Sequence, residues 1–193
     1  MTNNGTPRTD RPTSGVALGA AALTTGLMAG SFYVFACAVM PGLARSSDRA
    51  YIEVMQHIND VIQNPVFFFG FFGALLSTGL AAWRLRRTPL RWWVFGALAA
   101  YALAFVLTAV VNVPLNDDLA AAGDPARIAD PAAVRADFEG PWVAWNIVRA
   151  ALCTLAFGLL GRALVLRGRL LGAQGRGPQA PYLDPEAGSS ASR

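Results

Sequence analysis

Residues 91–116 read RWWVFGALAAYALAFVLTAVVNVPLN, and this stretch decides the fold. From Trp92 to Asn116 no side chain carries a formal charge, and the run opens on an arginine beside two tryptophans. A helix needs about 20 apolar residues to cross the hydrocarbon core of a bilayer. Outward from this run, charge-free stretches recur from Pro12 to Ala44, from Pro65 to Trp83 and from Gly140 to Val148. The last reaches membrane length only if it tolerates Arg149 and continues to Leu160. Across the 193 residues, 54% are hydrophobic and 15% charged, sparse for a water-soluble surface.

The expected fold is therefore all-α: an integral membrane four-helix bundle with spans near residues 16–40, 65–83, 92–112 and 141–161. Residues 1–14 read as a disordered lead, 15–165 as the transmembrane domain, and 166–193 as a disordered cytoplasmic tail rich in Gly, Ala, Pro and Ser. Span one is too long for the h-region of a signal peptide, so a retained helix is expected. Between spans one and two, Tyr51, Val54, Met55, Ile58, Val61 and Ile62 recur at helical spacing with polar residues opposite, predicting an extra amphipathic helix from Ser47 to Asn64. Asn64-Pro65 then supplies an N-cap and a proline at the first helical position of span two.

Arginine placement sets orientation. Ten arginines flank the lead, the turn after span two and the end of span four, whereas Arg45, Arg49, Arg127 and Arg135 lie on the opposite side. The positive-inside rule makes this a multi-pass cell-membrane protein with both termini cytoplasmic. The net charge of +4 and pI near 9.7 thus read as a topology signal, with no nucleic-acid partner implied and the lipid bilayer as the surrounding phase. Small residues at Gly15, Gly19, Ala22, Gly26 and Gly30 allow close helix approach along span one, into its own bundle or a dimer seam. The oligomeric state stays open.

Composition narrows the chemistry. Every basic residue is arginine, so lysine Schiff bases are excluded. One histidine, His57, is too few for bis-histidine haem. Cys37 and Cys153 sit in apolar blocks without CxxC spacing and read as buried structural thiols; no metal site is expected.

Pro41, Pro65, Pro114 and Pro141 mark the expected outer span ends, and that side also collects Asn64, Asn112, Asn116, Asp117, Asn146 and Arg149. Arg149 lies seven residues past Trp142, roughly 10 Å along a helix at 1.5 Å per residue. A lipid-facing arginine at that depth costs several kcal/mol, so it should point into the bundle as a structural lock or as a substrate or anion site. Trp142, Trp145, Asn146 and Arg149 are expected on one face, with Cys153 continuing it inward. Asn112 and Asn116, beside a proline, read first as helix caps, with inward-facing binding roles as the alternative. His57, one turn from Asp60, reads as a solvated surface residue or else a general base.

The segments TGLMAGSFYVFACAVMPGL (25–43), VMQHINDVIQNPVFF (54–68), VVNVPLNDDL (110–119) and WVAWNIVR (142–149), in that order, resemble the anthrone-oxygenase-like family of small four-span membrane proteins. The resemblance covers roughly residues 16–165. It implies oxidation of a lipophilic aromatic or other carbon acid by molecular oxygen, without a metal or organic cofactor. It carries Asn112, Pro114, Asn116, Trp142, Asn146 and Arg149 into the functional shortlist. Arg149 would supply positive charge to a developing oxyanion and Asn112 or Asn146 a hydrogen bond, with the base among Asp60, Asp117 and His57; Asn116, Trp142 and Trp145 would bind substrate. The alternative is a non-catalytic membrane module holding a lipid, quinone or protein partner in the same outer pocket.

Overall fold

A computed structural model describes residues 12–174, and the regular elements among them are all helices. Helix α1 spans Pro12–Val34 and continues through a π turn, Phe35–Val39, into a last turn, Met40–Leu43. Helix α2 is Asp48–Val61 and α3 is Pro65–Leu85. Helix α4 begins as Arg91–Leu107, passes a second π turn at Thr108–Asn112, and ends as Val113–Ala121. After a 3₁₀ turn at Pro125–Arg127, α5 runs Pro131–Gln174. Helices α1, α3, α4 and α5 are each long and apolar enough to cross a membrane, and α2 is the extra helix between the first two.

Three of the prolines expected at span ends do not end their helices: α1 continues two residues past Pro41, α4 continues past Pro114, and α5 begins before Pro141. The first two prolines are passed by the same device: Met40 N–H bonds to Phe35 O and Val113 N–H to Thr108 O, each one residue wider than an α turn and each just before the proline. The wider turn makes room for a ring that an α turn would crowd. Pro141 lies inside α5, which starts ten residues earlier, at Pro131, and extends to Gln174, so residues 166–174 of the expected tail are helical. The expected disorder of residues 1–11 and 175–193 lies outside the described residues; Pro12 already begins α1.

The start expected at Asn64-Pro65 holds. Asn64 Oδ1 accepts from Val66 N and Phe67 N, both at 3.0 Å, with Pro65 following. Ser47 Oγ accepts from Ala50 N at 3.4 Å to open α2. Gly123, with φ of 76°, ends α4 in the left-handed region where a side chain is strained.

Helix α1 packs on α3 and α5, α5 on α4, and α4 on α3, so the spans close a ring whose α3–α4 seam is the least extensive. Toward the α3–α4 turn the core is alanine-rich, with Ala21, Ala81, Ala97, Ala156 and Ala163 fully buried. Part of the small stripe of α1 serves this packing: a Cβ on Gly26 would stand 3.0 Å from the Phe157 ring, whereas Gly19 and Gly30 meet nothing within 4 Å. At the other end α2 buries Tyr51, Ile52 and Met55 against Met40, Leu119, Phe138 and Trp142. Gln56 Nε2 reaches Leu119 O at 2.8 Å and Gly123 O at 3.0 Å, tying α2 to the end of α4. Arg135 joins three segments, pairing with Asp48 at 3.0 Å and Glu139 at 2.6 Å and donating to Ala44 O at 3.0 Å, while its guanidinium lies over the Tyr51 ring. Burial, and secondarily Glu139, push the Tyr51 phenol above its usual pKa, while Arg135 pulls the other way.

Candidate functional site

Under α2, where α1, α3, α4 and α5 part, lies a cavity of about 260 Å³. This is close to the lower bound of roughly 300 Å³ for small-molecule sites. Its apolar wall comes from Phe32 and Phe35 of α1 and from Phe67, Phe68 and Phe71 of α3. Phe71 stacks on Phe105 of α4 at 4.7 Å between centroids, closing the thin α3–α4 seam with aromatic faces. Ile58, Asn59, Ile62 and Gln63 line the cavity from α2 and the turn that follows it.

The polar wall is built on α4 and α5. Arg149 is 4% exposed and its guanidinium is held on several sides. Nη2 donates to Asn146 Oδ1 at 3.1 Å and Nη1 to Thr108 Oγ1 at 3.3 Å. Its Cζ stands 4.5 Å from the Phe32 ring centroid and 5.5 Å from that of Trp142. Thr108 donates its own proton to Ala104 O at 2.9 Å, which leaves an oxygen lone pair for the arginine. Asn146 is tethered at its other end, donating from Nδ2 to Phe32 O at 3.1 Å, so α1 and α5 are joined through one amide.

No carboxylate pairs with Arg149 among the described residues, where the ion pairs belong to Arg127 and Arg135. Three buried polar atoms of cavity-lining residues lack any partner: Arg149 Nε, Asn112 Oδ1 and Asn59 Nδ2. The Asn112 orientation is fixed by its neighbour, because Nδ2 donates to Trp142 O at 3.4 Å and a carbonyl can only accept. Unsatisfied groups of this kind cost about 1–3 kcal/mol each.

The structure brings together Arg149, Asn146, Asn112, Asn116, Trp142 and Asp117, all on the cavity wall. It leaves the other shortlisted residues apart. His57 and Asp60 are exposed and do not line the cavity, and Trp145 is 38% exposed beyond it. Three residues turn a helix about 300° and four about 400°, so Trp145 and Asn146 fall on opposite sides of Trp142. The expected capping roles are also corrected: Asn112 makes no side-chain cap bond, and Asn116 Oδ1 instead accepts from Trp142 Nε1 at 2.8 Å. Of the cysteines, Cys153 is buried as expected, whereas Cys37 is exposed.

Sequence reasoning missed Thr108, Asn59 and the phenylalanine wall. Thr108 precedes Asn112 by four residues, a spacing that would have placed it on the same face. Asn59 belongs by spacing to the polar residues opposite the apolar stripe of α2, yet it is 9% exposed. Among the described residues no three His, Cys, Asp or Glu side chains cluster as metal ligands. An arginine without a counter-ion, walled by aromatic rings, can hold a carbonyl oxygen or oxyanion of a flat ligand and stabilise negative charge as it develops.

Comparison with known proteins adds one match. A family model described as anthrone oxygenase matches residues 60–159, more than half of the chain, which takes in Thr108, Asn112, Trp142, Asn146 and Arg149 but not the α1 wall. No curated protein and no solved structure matches.

Proposed function

Because this chain belongs to the anthrone oxygenase family, we propose that its cavity takes a flat, lipophilic carbon acid from the bilayer and promotes its oxidation by molecular oxygen. The observation that carries this reading is the buried guanidinium of Arg149, uncompensated by any described carboxylate and facing an aromatic-walled space. A C–H of the CH₂ that lies across the central ring from a diaryl ketone gives its proton to a base, and the electron pair moves through the aromatic rings onto the carbonyl oxygen as an enolate. Arg149 stabilises that oxygen. The enolate reduces oxygen and forms a carbon–oxygen bond. The resulting hydroperoxide loses water together with the second C–H proton, leaving a ketone, so CH₂ and O₂ become C=O and H₂O. Asp117 is the base, being the acidic side chain on the cavity wall. Asn146 and Thr108 position Arg149, and Trp142 with the phenylalanines holds the ring system.

Orientation belongs to the same proposal: the arginine-rich end faces the cytoplasm, both termini lie there, and the cavity opens toward the outer leaflet. In a Cys37→Ser background, Asp124→Cys should react with a membrane-impermeant maleimide added outside whole cells, and Arg87→Cys only after lysis. The reverse pattern would invert the topology.

Oxygen consumption by the purified full-length protein with a panel of anthrones tests the chemistry. One O₂ should be consumed per ketone formed, well above a heat-denatured control, and Asp117→Asn should slow the rate by about 10²–10⁴-fold, the usual contribution of a positioned base. Saturable binding without oxygen consumption would overturn the oxygenase reading and leave a ligand-holding membrane module.

A further inference from the structure

At the end of the bundle opposite the cavity, four arginines surround the α3–α4 turn and three more occupy the last turns of α5. Every described Asp and Glu lies elsewhere, within residues 48–60 or 117–139, and the described ion pairs are confined to that other end. The positive charge is arranged on aromatic rings. Arg86 lies over Trp83 and Arg91 over Trp92, each at 4.9 Å, and Arg162 over Trp93 at 5.7 Å. Trp83 and Trp92 are 59% and 72% exposed, as rings seated at a membrane interface would be in the isolated chain.

Two of these arginines differ from the rest. Arg84 and Arg167 are only partly exposed, and the Nε of each is buried without a partner. Arg167 lies against α1, where Gly15 makes the room: a Cβ there would stand 2.7 Å from Arg167 Nη1. A half-buried guanidinium held against a neighbouring helix has lost water without gaining a described carboxylate, so an anion from outside the protein would stabilise it.

We propose that this end is a binding collar for anionic phospholipid, with headgroup phosphates on Arg84 and Arg167 and the Trp83, Trp92 and Trp93 rings at the level of the glycerol backbone. The exposed tryptophans argue for a lipid rather than a free anion, because a phosphate at their depth in the membrane is one attached to acyl chains. The collar is independent of the cavity and of any reaction there.

The full-length protein is placed in nanodiscs of phosphatidylcholine and of phosphatidylcholine with phosphatidylglycerol, and its melting temperature and the lipid retained in native mass spectrometry are measured. Phosphatidylglycerol should raise the melting temperature and be retained selectively. Arg84→Gln with Arg167→Gln should abolish both effects, each arginine lost weakening retention about fivefold, whereas exposed Arg86→Gln with Arg87→Gln should keep most of the selectivity. The melting temperature of each variant in phosphatidylcholine alone reports on folding. Should the double variant not fold, Arg167→Lys, which keeps the charge, must preserve the selectivity of the wild type. Equal behaviour of the wild type in the two lipids would overturn the proposal. So would a double variant that keeps its selectivity, or reproduction of the effect in phosphatidylcholine by free glycerol 3-phosphate.

Discussion

Near the arginine end, Ala81 of α3, Ala97 of α4 and Ala156 of α5 are fully buried in one packed core. Near the cavity end the same helices carry Phe71, Thr108, Asn112, Asn146 and Arg149, and they stand apart around about 260 Å³. Both π turns and the crossing of Pro141 also fall in that second half. The difference teaches how one bundle divides its labour. Methyl-sized contacts supply packing where no hydrophobic force drives helices together in lipid, and that rigid half frees the other to hold buried polar groups incompletely satisfied.

If this division is right, damage to one half should be separable from damage to the other. The largest effect on stability belongs to Ala156→Leu, which forces extra methylenes into the closed half. It should lower stability by about 1–3 kcal/mol, read as a lower melting temperature, while the folded fraction binds ligand as before. A loss of affinity in the folded fraction would instead mean that the two halves are coupled.

A smaller effect is expected at Tyr51, on the buried face of α2, whose hydroxyl is buried without a partner. Tyr51→Phe should change stability at pH 7 by less than about 1 kcal/mol, since the hydroxyl removed makes no hydrogen bond. Its signature lies at high pH. The folded-state pKa stands above the ordinary 10.0, so the stabilising contribution of the neutral phenol is complete below that value and is lost as pH rises through the folded value. The variant should therefore lose less stability than the wild type above about pH 10. Identical pH profiles would show that Tyr51 ionises equally in both states.

Much of this was legible in the sequence because the signals are local. Hydropathy runs located the spans, the period of Tyr51, Met55 and Ile58 located α2, and Asn64-Pro65 marked the start of α3. The prolines misled for a physical reason. A π turn just before Pro41 and just before Pro114 widens the backbone enough to seat the ring, so the helix continues where an α turn would be crowded, and nothing in the local sequence announces that turn. At the site, Arg149 and Asn146 stood out because polar groups in apolar runs are costly. Thr108 and Asn59 did not, since a threonine is unremarkable in a span and an asparagine is ordinary on an amphipathic helix; only tertiary packing turns both toward the same guanidinium-lined space. Trp145 shows the converse, being close in sequence to the site and rotated away from it.

The central claim is that the cavity binds its ligand through Arg149, and equilibrium binding of an anthrone under anaerobic conditions tests it without turnover. Arg149→Leu should weaken binding about 10- to 150-fold, the effect of removing a charged hydrogen-bond partner worth ~1.5–3 kcal/mol. Arg149→Lys should fall between the two, because it keeps the charge and loses the planar fork of donors. Unchanged affinity in an Arg149→Leu protein that melts like the wild type would contradict the account and make Arg149 a dispensable part of the bundle wall.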